Sequence, residues 1–363
     1  MKRLTTLAAL LLALGCNSPN EPDPVEPAGG LAAADAGGDA ETPVFSLAWS
    51  EYPSWSVFGV AEEKGFLNGA EGELGSFEEK HGVDVVLKGV DYDTCLQSYG
   101  AGDIDAVCIT NIDILPAAQS IGSVVILPTS TSAGADACIA VGIDDVEGLK
   151  GVQTFGLEKS VSQYAFERCL TKRGLDPSEF PFRNLDPGEA AKAMQTGDEN
   201  VKSIMVWNPF VIQTLRDRPE SKRLFDSSEI PEEIIDMVVV TQEALGREKG
   251  GAFAACVCEA FYAVNDLIAE GGETGDETLV MLGEKFSSLE LEDMKQVVQE
   301  TKMYATPAEG LKLFKNETFQ RETMPAVVKF CVDQELVEAA PKVGHDNENA
   351  ALNFDPQFMK AVQ

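Results

Sequence analysis

Short apolar runs alternate along most of the chain with segments in which apolar residues recur every three or four positions. Apolar runs bounded by Gly, Pro, Asn or Asp are typical of buried strands, whereas the longer spacing is typical of helices with one buried face. The predicted strands are Val44–Trp49, Val83–Lys88, Asp105–Thr110, Ser123–Pro128, Ala137–Val141, Val152–Phe155, Phe180–Asn184, Ser203–Val206 and Met237–Thr241. The predicted helices include Val57–Lys64, Thr94–Ala101, Gly188–Gln195 and Ser160–Arg173, the last capped by Ser160 and closed by Gly174.

This alternation predicts an α/β fold in which helices cover both faces of parallel sheets. The number of strands exceeds one compact sheet, so we expect two such units. After Met237–Thr241 the pattern is almost entirely helical to about Glu338, which predicts a helical C-terminal region. In parallel α/β sheets a ligand binds beyond the carboxyl ends of the strands. Residues that directly follow strands are therefore the candidates for function.

The charge balance excludes one class of partner. The chain of 363 residues carries 28 Lys and Arg against 60 Asp and Glu, a formal charge of −32. A protein that binds nucleic acid without sequence preference needs a cationic surface to neutralise phosphates, so we expect no nucleic-acid partner.

The start of the chain predicts export. Met1-Lys2-Arg3 is positively charged, the apolar run Leu4–Leu14 is too short to span a bilayer, and Gly15-Cys16 follows at once. This is typical of a secretory signal peptide over residues 1–15. A small residue before Cys resembles a bacterial lipoprotein cleavage site, so we expect Cys16 to be lipidated and to anchor the protein in a membrane. The alternative is an ordinary signal peptide in which Cys16 is incidental.

The segment that follows predicts a tether. Asn17–Thr42 contains four Pro, six acidic residues, no basic residue and an Ala/Gly tract. Such a composition has almost nothing to bury, so we expect residues 16–43 to form a lipidated and disordered linker. The folded part is predicted to begin near Val44.

All three Trp residues lie at or near predicted strand ends. Trp49 ends the first strand, Trp55 lies in the loop after it, and Trp207 ends the strand Ser203–Val206. Each could be an ordinary core residue. Their occurrence at strand ends in both halves of the chain favours an aromatic-walled cleft between two lobes.

The polar residues at these positions are mostly acidic or amide, and no Lys or Arg accompanies them. Aromatic faces and carboxylates suit a small cation, whereas an anion would depend on the helix start at Ser160–Gln163. Each carboxylate has the alternative role of a helix cap or solvated turn, and Asp136 in particular could be structural. The residues concerned are Glu51, Asp91, Asp93, Asn111, Asp113, Asp136 and Asn208.

Catalysis and metal binding find little support in the sequence. Its two His residues, His81 and His345, lie far from predicted strand ends, so a Ser–His or Cys–His pair is not expected. The Cys residues lack the spacing of a zinc site, and no phosphate-binding or dinucleotide-binding loop is present. We therefore expect no catalytic residue, metal or cofactor, and no enzyme activity.

Several motifs in order resemble the substrate-binding proteins of bacterial ABC importers, in the nitrate/sulfonate/taurine and thiamine-precursor-binding superfamily. The resemblance covers Val44 to about Phe330. The motifs are Ala61–Phe66, Gly102–Ala106, Ser132–Ala137, Leu149–Gly151 and Asp226–Pro231.

Four further runs resemble one branch, the urea-type binding proteins found beside urea or guanidine carboxylases. They are Thr110–Asp113, Ser160–Tyr164, Val206–Pro209 and Tyr304–Glu309. The chain departs from that branch at Gln163, where His is expected, and at Ala133–Ala135, where Asn-Gly-Asn is common.

The resemblance implies a two-lobed type II periplasmic-binding-protein fold with a helical C-terminal extension. Lobe 1 would comprise residues 44–136 and 237–363, lobe 2 residues 137–236, with crossovers near Gly134–Ala137 and Met237–Val240. The ligand would bind between the lobes, which close by a hinge motion. The implied ligand-binding residues are Trp49, Glu51, Tyr52, Trp55, Asp93, Asn111 and Asp113 on one wall and Ser160, Ser162, Gln163, Trp207 and Asn208 on the other.

In function, the resemblance implies a monomeric, lipid-anchored receptor in the periplasm or cell envelope. It would capture a small nitrogen-rich ligand of urea or guanidine type and deliver it to an ABC permease with its ATPase. The alternatives are a binder of a sulfonate or taurine-like anion or of a thiamine-pyrimidine precursor, an enzyme of pyrimidine synthesis, and a sensory surface lipoprotein.

Overall fold

The computed structural model describes residues 41–287, 289–346 and 349–362, and these form one compact unit from Thr42 onward. The predicted signal peptide at residues 1–15, the lipidation site Cys16 and nearly all of the linker at residues 16–43 lie outside the described part of the chain.

Two sheets organise the fold. The first has the strand order β12-β13-β4-β10-β3-β1-β2, with β11 also paired to β4, and the second has the order β7-β6-β8-β5-β9. The first sheet contains β1 (Val44–Trp49), β2 (Asp84–Gly89), β3 (Ala106–Thr110), β4 (Ser123–Ser132), β10 (Ile235–Thr241), β11 (Thr301–Met303), β12 (Val343–His345) and β13 (Leu352–Phe354). The second contains β5 (Asp136–Val141), β6 (Thr154–Gly156), β7 (Phe182–Asn184), β8 (Ser203–Trp207) and β9 (Ser221–Asp226).

Both sheets are mixed, which corrects the expectation of parallel sheets. Strand β1 runs parallel to β2 and β3, but β10 runs antiparallel to β3 and β4. In the second sheet, β5 runs antiparallel to β8 and β9. The chain enters β5 and β10 from the other sheet rather than through a helical crossover, so the rule that makes successive crossover strands parallel does not apply to them.

The chain passes between the sheets at two places that flank these strands. The first connection is Ala133–Ala135, between β4 and β5, and the second is Ser227–Ile234, between β9 and β10. The second connection therefore precedes the predicted position, because Met237–Val240 lies within β10 in the centre of the first sheet.

Fourteen α-helices, counted over the described residues, surround the sheets. They are α1 (Val57–Glu63), α2 (Ser76–His81), α3 (Tyr92–Ala101), α4 (Ile114–Ala118), α5 (Val161–Lys172), α6 (Pro187–Thr196), α7 (Phe210–Asp217), α8 (Gln242–Gly246), α9 (Gly250–Glu270), α10 (Gly272–Lys285), α11 (Leu291–Glu300), α12 (Pro307–Phe314), α13 (Met324–Asp333) and α14 (Gln357–Lys360).

The helix boundaries follow local chemistry. Ser160 caps α5 by accepting a hydrogen bond from Ser162 N at 3.2 Å, and Gly174 just beyond the helix has a φ of 76°, as the sequence predicted. Helix α9 is long and apolar enough to cross a membrane by length and composition, but most of it is buried. It packs against α1, α2 and α10, so it serves as a core helix of the first lobe.

Candidate functional site

A cavity of about 610 Å³ lies between the two sheets. Strands β1, β2 and β8 bring their carboxyl ends to it at Trp49, Gly89 and Trp207. Because β5 and β10 run opposite to their neighbours, their first residues reach the same edge. Asp136 and Asp236 therefore also line the cavity.

Five aromatic side chains form a continuous series along the cavity. The ring centroids of Tyr52 and Trp55 lie 4.9 Å apart, and Trp55 stacks on Tyr92 at 5.4 Å with an angle of 16° between the rings. The edge of Trp207 meets Tyr92 at 6.1 Å, and Phe210 follows Trp207 at 6.4 Å. The series crosses from the first sheet to the elements of the second, so it forms an apolar wall shared by both lobes.

Trp49 forms a separate part of the wall. A Cβ atom at Gly59 would lie 3.0 Å from Cη2 of Trp49, and one at Gly89 would lie 3.3 Å from its Cζ2. The two glycines therefore leave the space that this indole occupies. The Nε1 groups of Trp49 and Trp55 are buried and have no hydrogen-bond partner in the described part of the chain.

Two buried carboxyl groups, those of Asp136 and Asp236, line the cavity near enough for one to act electrostatically on the other, and we call this part of the cavity the deep end. Asp136 is 3% exposed and Asp236 is 2% exposed. Burial raises the pKa of Asp136 to about 7, and the negative charges of Asp113 and Asp226 add to the effect. Burial, together with the charge of Asp136, also raises the pKa of Asp236 well above its ordinary value.

The groups around Asp236 tie this end of the cavity to the first sheet. Ser130 donates a hydrogen bond to Asp236 Oδ2 at 2.5 Å, and Ser54 lies 2.9 Å from Ser130. Burial and the charges of the two carboxyl groups raise the pKa of the neighbouring Tyr52 hydroxyl, which therefore stays protonated. In the described residues nothing cationic accounts for any part of the shifts of the two carboxyl groups. This end of the cavity is thus buried and acidic.

Asp113, predicted to contact the ligand, lies behind the aromatic wall. Its carboxylate accepts hydrogen bonds from the Tyr92 hydroxyl at 2.8 Å, Thr110 Oγ1 at 3.0 Å and the backbone N–H of Val161 at 3.2 Å. Burial raises the pKa of Asp113 to about 6 despite these donors. It positions Tyr92 and joins the first sheet to the start of α5.

The contact between Val161 N and Asp113 also bears on the hypothesis that an anion binds at the start of α5. The first N–H of α5 already meets the Asp113 carboxylate, and the next is capped by Ser160. Ser160 itself lies in a separate groove with Asp93 and Asp113 rather than in the main cavity. The helix start is therefore occupied by the protein's own groups.

Asn111, also predicted to bind the ligand, joins two strands instead. It is fully buried; its Nδ2 donates to the carbonyl of Glu233 at 3.1 Å, and its Oδ1 accepts from Ile235 N at 3.0 Å. These bonds hold the start of β10 against the end of β3, so Asn111 fixes the strand that presents Asp236.

Replacing Asn111 with Ala is expected to lower the free energy of unfolding by about 2–4 kcal/mol, because it leaves two buried backbone groups without partners. Urea denaturation measures this loss. A variant with unchanged stability but lost ligand binding would contradict this structural role.

The remaining predicted residues of the second wall also lie away from the cavity. The side chain of Gln163 accepts from Lys159 N and donates to Glu167 Oε1, both at 2.7 Å. Asn208 is buried and donates to Glu300 Oε2 at 3.0 Å, and Ser162 is buried without lining the cavity.

The structure thus brings together six of the twelve residues predicted to bind the ligand. Those that line the cavity are Trp49, Glu51, Tyr52, Trp55, Asp93 and Trp207, and those that do not are Asn111, Asp113, Ser160, Ser162, Gln163 and Asn208. Sequence reasoning missed Tyr92, Asp186, Phe210, Asp236 and Lys285 and left a structural role open for Asp136. The position of Tyr92 beside Asp91 was a usable signal.

No protein-family model matches the sequence, and no curated protein matches it. Solved structures do match. The aliphatic sulphonate binding protein SsuA from Escherichia coli has a TM-score of 0.63 at 16% identity, over 82% of this chain and 94% of that one. The alkanesulfonate-binding protein SsuA from Xanthomonas axonopodis pv. citri, bound to MOPS, has a TM-score of 0.62 at 15% identity, over 83% and 96%.

A Candida albicans protein described as exhibiting the generic periplasmic binding protein fold matches with a TM-score of 0.58 at 13% identity, over 82% of this chain and 92% of that one. The chain has the periplasmic binding protein fold. The predicted fold class, two-lobed α/β with a helical C-terminal region, is confirmed. Within the described residues of this periplasmic binding protein fold, no group of three or more His, Cys, Asp or Glu side chains could hold a metal ion.

Proposed function

We propose that the protein is a solute-binding receptor of an ABC importer that captures a small, planar, N–H-rich ligand of urea or guanidine type between its lobes. Lobe 1 would comprise residues 44–136 and 237–363 and lobe 2 residues 137–236, closing by hinge motion. The receptor performs no chemistry on its ligand and passes it to a permease. Export, a lipid anchor at Cys16 and a monomeric state belong to the same proposal.

The proposed ligand class is inferred from the charge of the cavity lining. Six carboxyl groups line the cavity, from Glu51, Asp91, Asp93, Asp136, Asp186 and Asp236, against the single amine of Lys285. That amine is already paired with Glu63 at 3.4 Å. Carboxylates accept hydrogen bonds from N–H donors, and a bidentate contact suits a planar guanidinium group. The lining therefore favours a donor-rich or cationic ligand.

The aromatic wall supports the same class of ligand. Trp55 and Tyr92 present stacked rings beside the acidic end of the cavity. A flat cation placed against an aromatic face gains from the negative charge of the ring face, and more so where water is excluded. The acceptors would go unpaired with an analogue that lacks the N–H donors, which gives specificity.

Isothermal titration of the wild-type protein with guanidinium chloride, urea, taurine and a pyrimidine precursor tests the proposal. We expect binding of guanidinium or urea and none of taurine. Asp236→Asn should weaken binding at least tenfold. Asp266→Asn is the matched control, because Asp266 is exposed on α9 and does not line the cavity. Heat from taurine with none from the nitrogen compounds would overturn the ligand class.

A sulfonate-like anion is the second candidate. Two observations favour it: two solved structures of the same fold are sulfonate-binding proteins, and the indole N–H groups of Trp49 and Trp55 are donors without partners. Its weakness is the acidic lining, which would repel a sulfonate unless Lys285 left Glu63. Taurine in the titration above therefore decides between the two candidates.

A further inference from the structure

We propose, resting on the function above, that the ligand is an elongated dication. A planar guanidinium-type group would bind at Asp136 and Asp236, and a second cationic group, joined to it by an apolar linker, would bind at Asp93.

The volume of the cavity exceeds what a single planar group needs. At about 610 Å³ it equals the space of roughly 20 water molecules at ~30 Å³ each. Guanidinium and urea each contain only a few heavy atoms, so either one alone would leave most of the cavity unfilled. Cavities of this size ordinarily bind considerably larger molecules. In this conformation the cavity therefore has room for a ligand that extends beyond its planar group.

The aromatic series gives the extension a direction. Tyr52 adjoins Asp236 at the deep end, and steps of 4.9 and 5.4 Å between ring centroids lead through Trp55 to Tyr92. The apolar surface that these rings give the cavity lining suits an apolar linker. Tyr92 is followed in the chain by Asp93, so the path begins and ends beside a carboxyl group.

Asp93 is the carboxylate available at the outer end. Asp91 caps α3 by accepting from Thr94 N at 2.8 Å, and Asp186 caps α6 by accepting from Glu189 N at 3.0 Å. The side chain of Asp93 is exposed, lines the cavity, and has no hydrogen bond or ion pair to any described residue.

Asp136 and Asp236, the two buried carboxyl groups at the deep end, likewise have no ion-pair partner among the described residues. Asp136 and Asp236 are buried, the charge of Asp136 raises the pKa of Asp236, and the one amine in the described cavity lining, Lys285, is paired with Glu63. Separate negative charges at the two ends of one apolar path match a molecule with a positive group at each end, and this complementarity also attracts it from solution.

Three ligands that differ only at one end test the inference by isothermal titration at pH 7.5. They are n-butylguanidine, 1-amino-4-guanidinobutane and 4-guanidinobutyrate, with neutral, positive and negative ends. We expect the amine to bind roughly three- to tenfold more tightly than butylguanidine, in keeping with a partly exposed ion pair in an acidic field. The carboxylate should bind most weakly.

Two variants test whether the tighter binding of the amine arises at Asp93. Asp93→Asn should remove most of the advantage of the amine over butylguanidine while lowering the affinity for butylguanidine much less, and Asp266→Asn should change neither affinity. Equal affinity for butylguanidine and the amine, or tightest binding of the carboxylate, would overturn the dication and leave the proposed function standing. If guanidinium, urea and all three ligands fail to bind, the proposed function itself is overturned.

Discussion

Asp136→Asn is expected to stabilise the empty protein at pH 8 and to weaken guanidinium binding at least thirtyfold. Removing one member of a buried charge contact with a ligand typically costs about 2–5 kcal/mol of binding free energy. Asp136 is 3% exposed and lines the cavity together with Asp236, so Asn, which cannot carry the negative charge, loses that contact.

The gain in stability follows from the direction of the pKa shift. The folded protein holds the pKa of Asp136 at about 7, above the ordinary value near 3.8 that the unfolded chain shows. The folded state therefore binds this proton more tightly, and stability falls as the pH rises from about 4 through 7. Asn remains neutral throughout, so the variant avoids the penalty of a buried charge above pH 7.

Urea denaturation of the wild type and of D136N at pH 5 and pH 8 measures the effect. We expect a difference on the order of 1–3 kcal/mol in favour of the variant at pH 8, and a smaller one at pH 5. Asp266→Asn should give no pH-dependent difference. A variant that is less stable at pH 8 would contradict an uncompensated carboxyl group at this position.

Guanidinium affinity is expected to rise about tenfold per pH unit below pH 7 and to level off above it, as one-proton linkage requires. The empty site holds a proton on Asp136 with a pKa of about 7, and a bound cation favours the ionised form, so binding releases that proton. Guanidinium stays protonated throughout this range, so the change arises in the protein.

Titrations at pH 5.5, 6.5 and 8, each in two buffers of different ionisation heat, would measure both the affinity and the proton released. Asp136→Asn should flatten the profile. An affinity that falls as the pH rises would contradict cation capture by these carboxyl groups and would favour an anionic ligand.

The apolar pattern predicted most of the strands because burial on both faces leaves a continuous run that is visible in one dimension. Val44–Trp49 coincides with β1, and the predicted caps of α5 agree with the structure. It did not predict β9, whose sequence Ser-Lys-Arg-Leu-Phe-Asp has a mostly half-buried, polar pattern. The short strands β12 and β13 were also missed, since their pairing with the first sheet depends on distant residues.

The candidate site was predicted only in part, for a related reason. Trp49 and Trp207 end β1 and β8, and Trp55 lies in the loop after β1, where side chains reach the edge of a sheet. Asn111 and Asp113 occupy the same kind of position, but their side chains are hydrogen-bonded within the protein. Asn111 bonds to β10, and Asp113 bonds to Tyr92 and to the start of α5. The position of a residue after a strand determines which edge of the sheet its side chain reaches. It does not determine whether that side chain is already hydrogen-bonded to a neighbouring residue.

The sequence by itself determined the alternating α/β character, the helical C-terminal region, and the concentration of aromatic and acidic residues at strand ends. Only the tertiary structure decided that β5 and β10 run against their neighbours, which places Asp136 and Asp236 at the cavity. Strand direction depends on where the chain enters each sheet. That entry is set by contacts between residues about a hundred positions apart, such as Ser130 with Asp236, which local patterns do not encode.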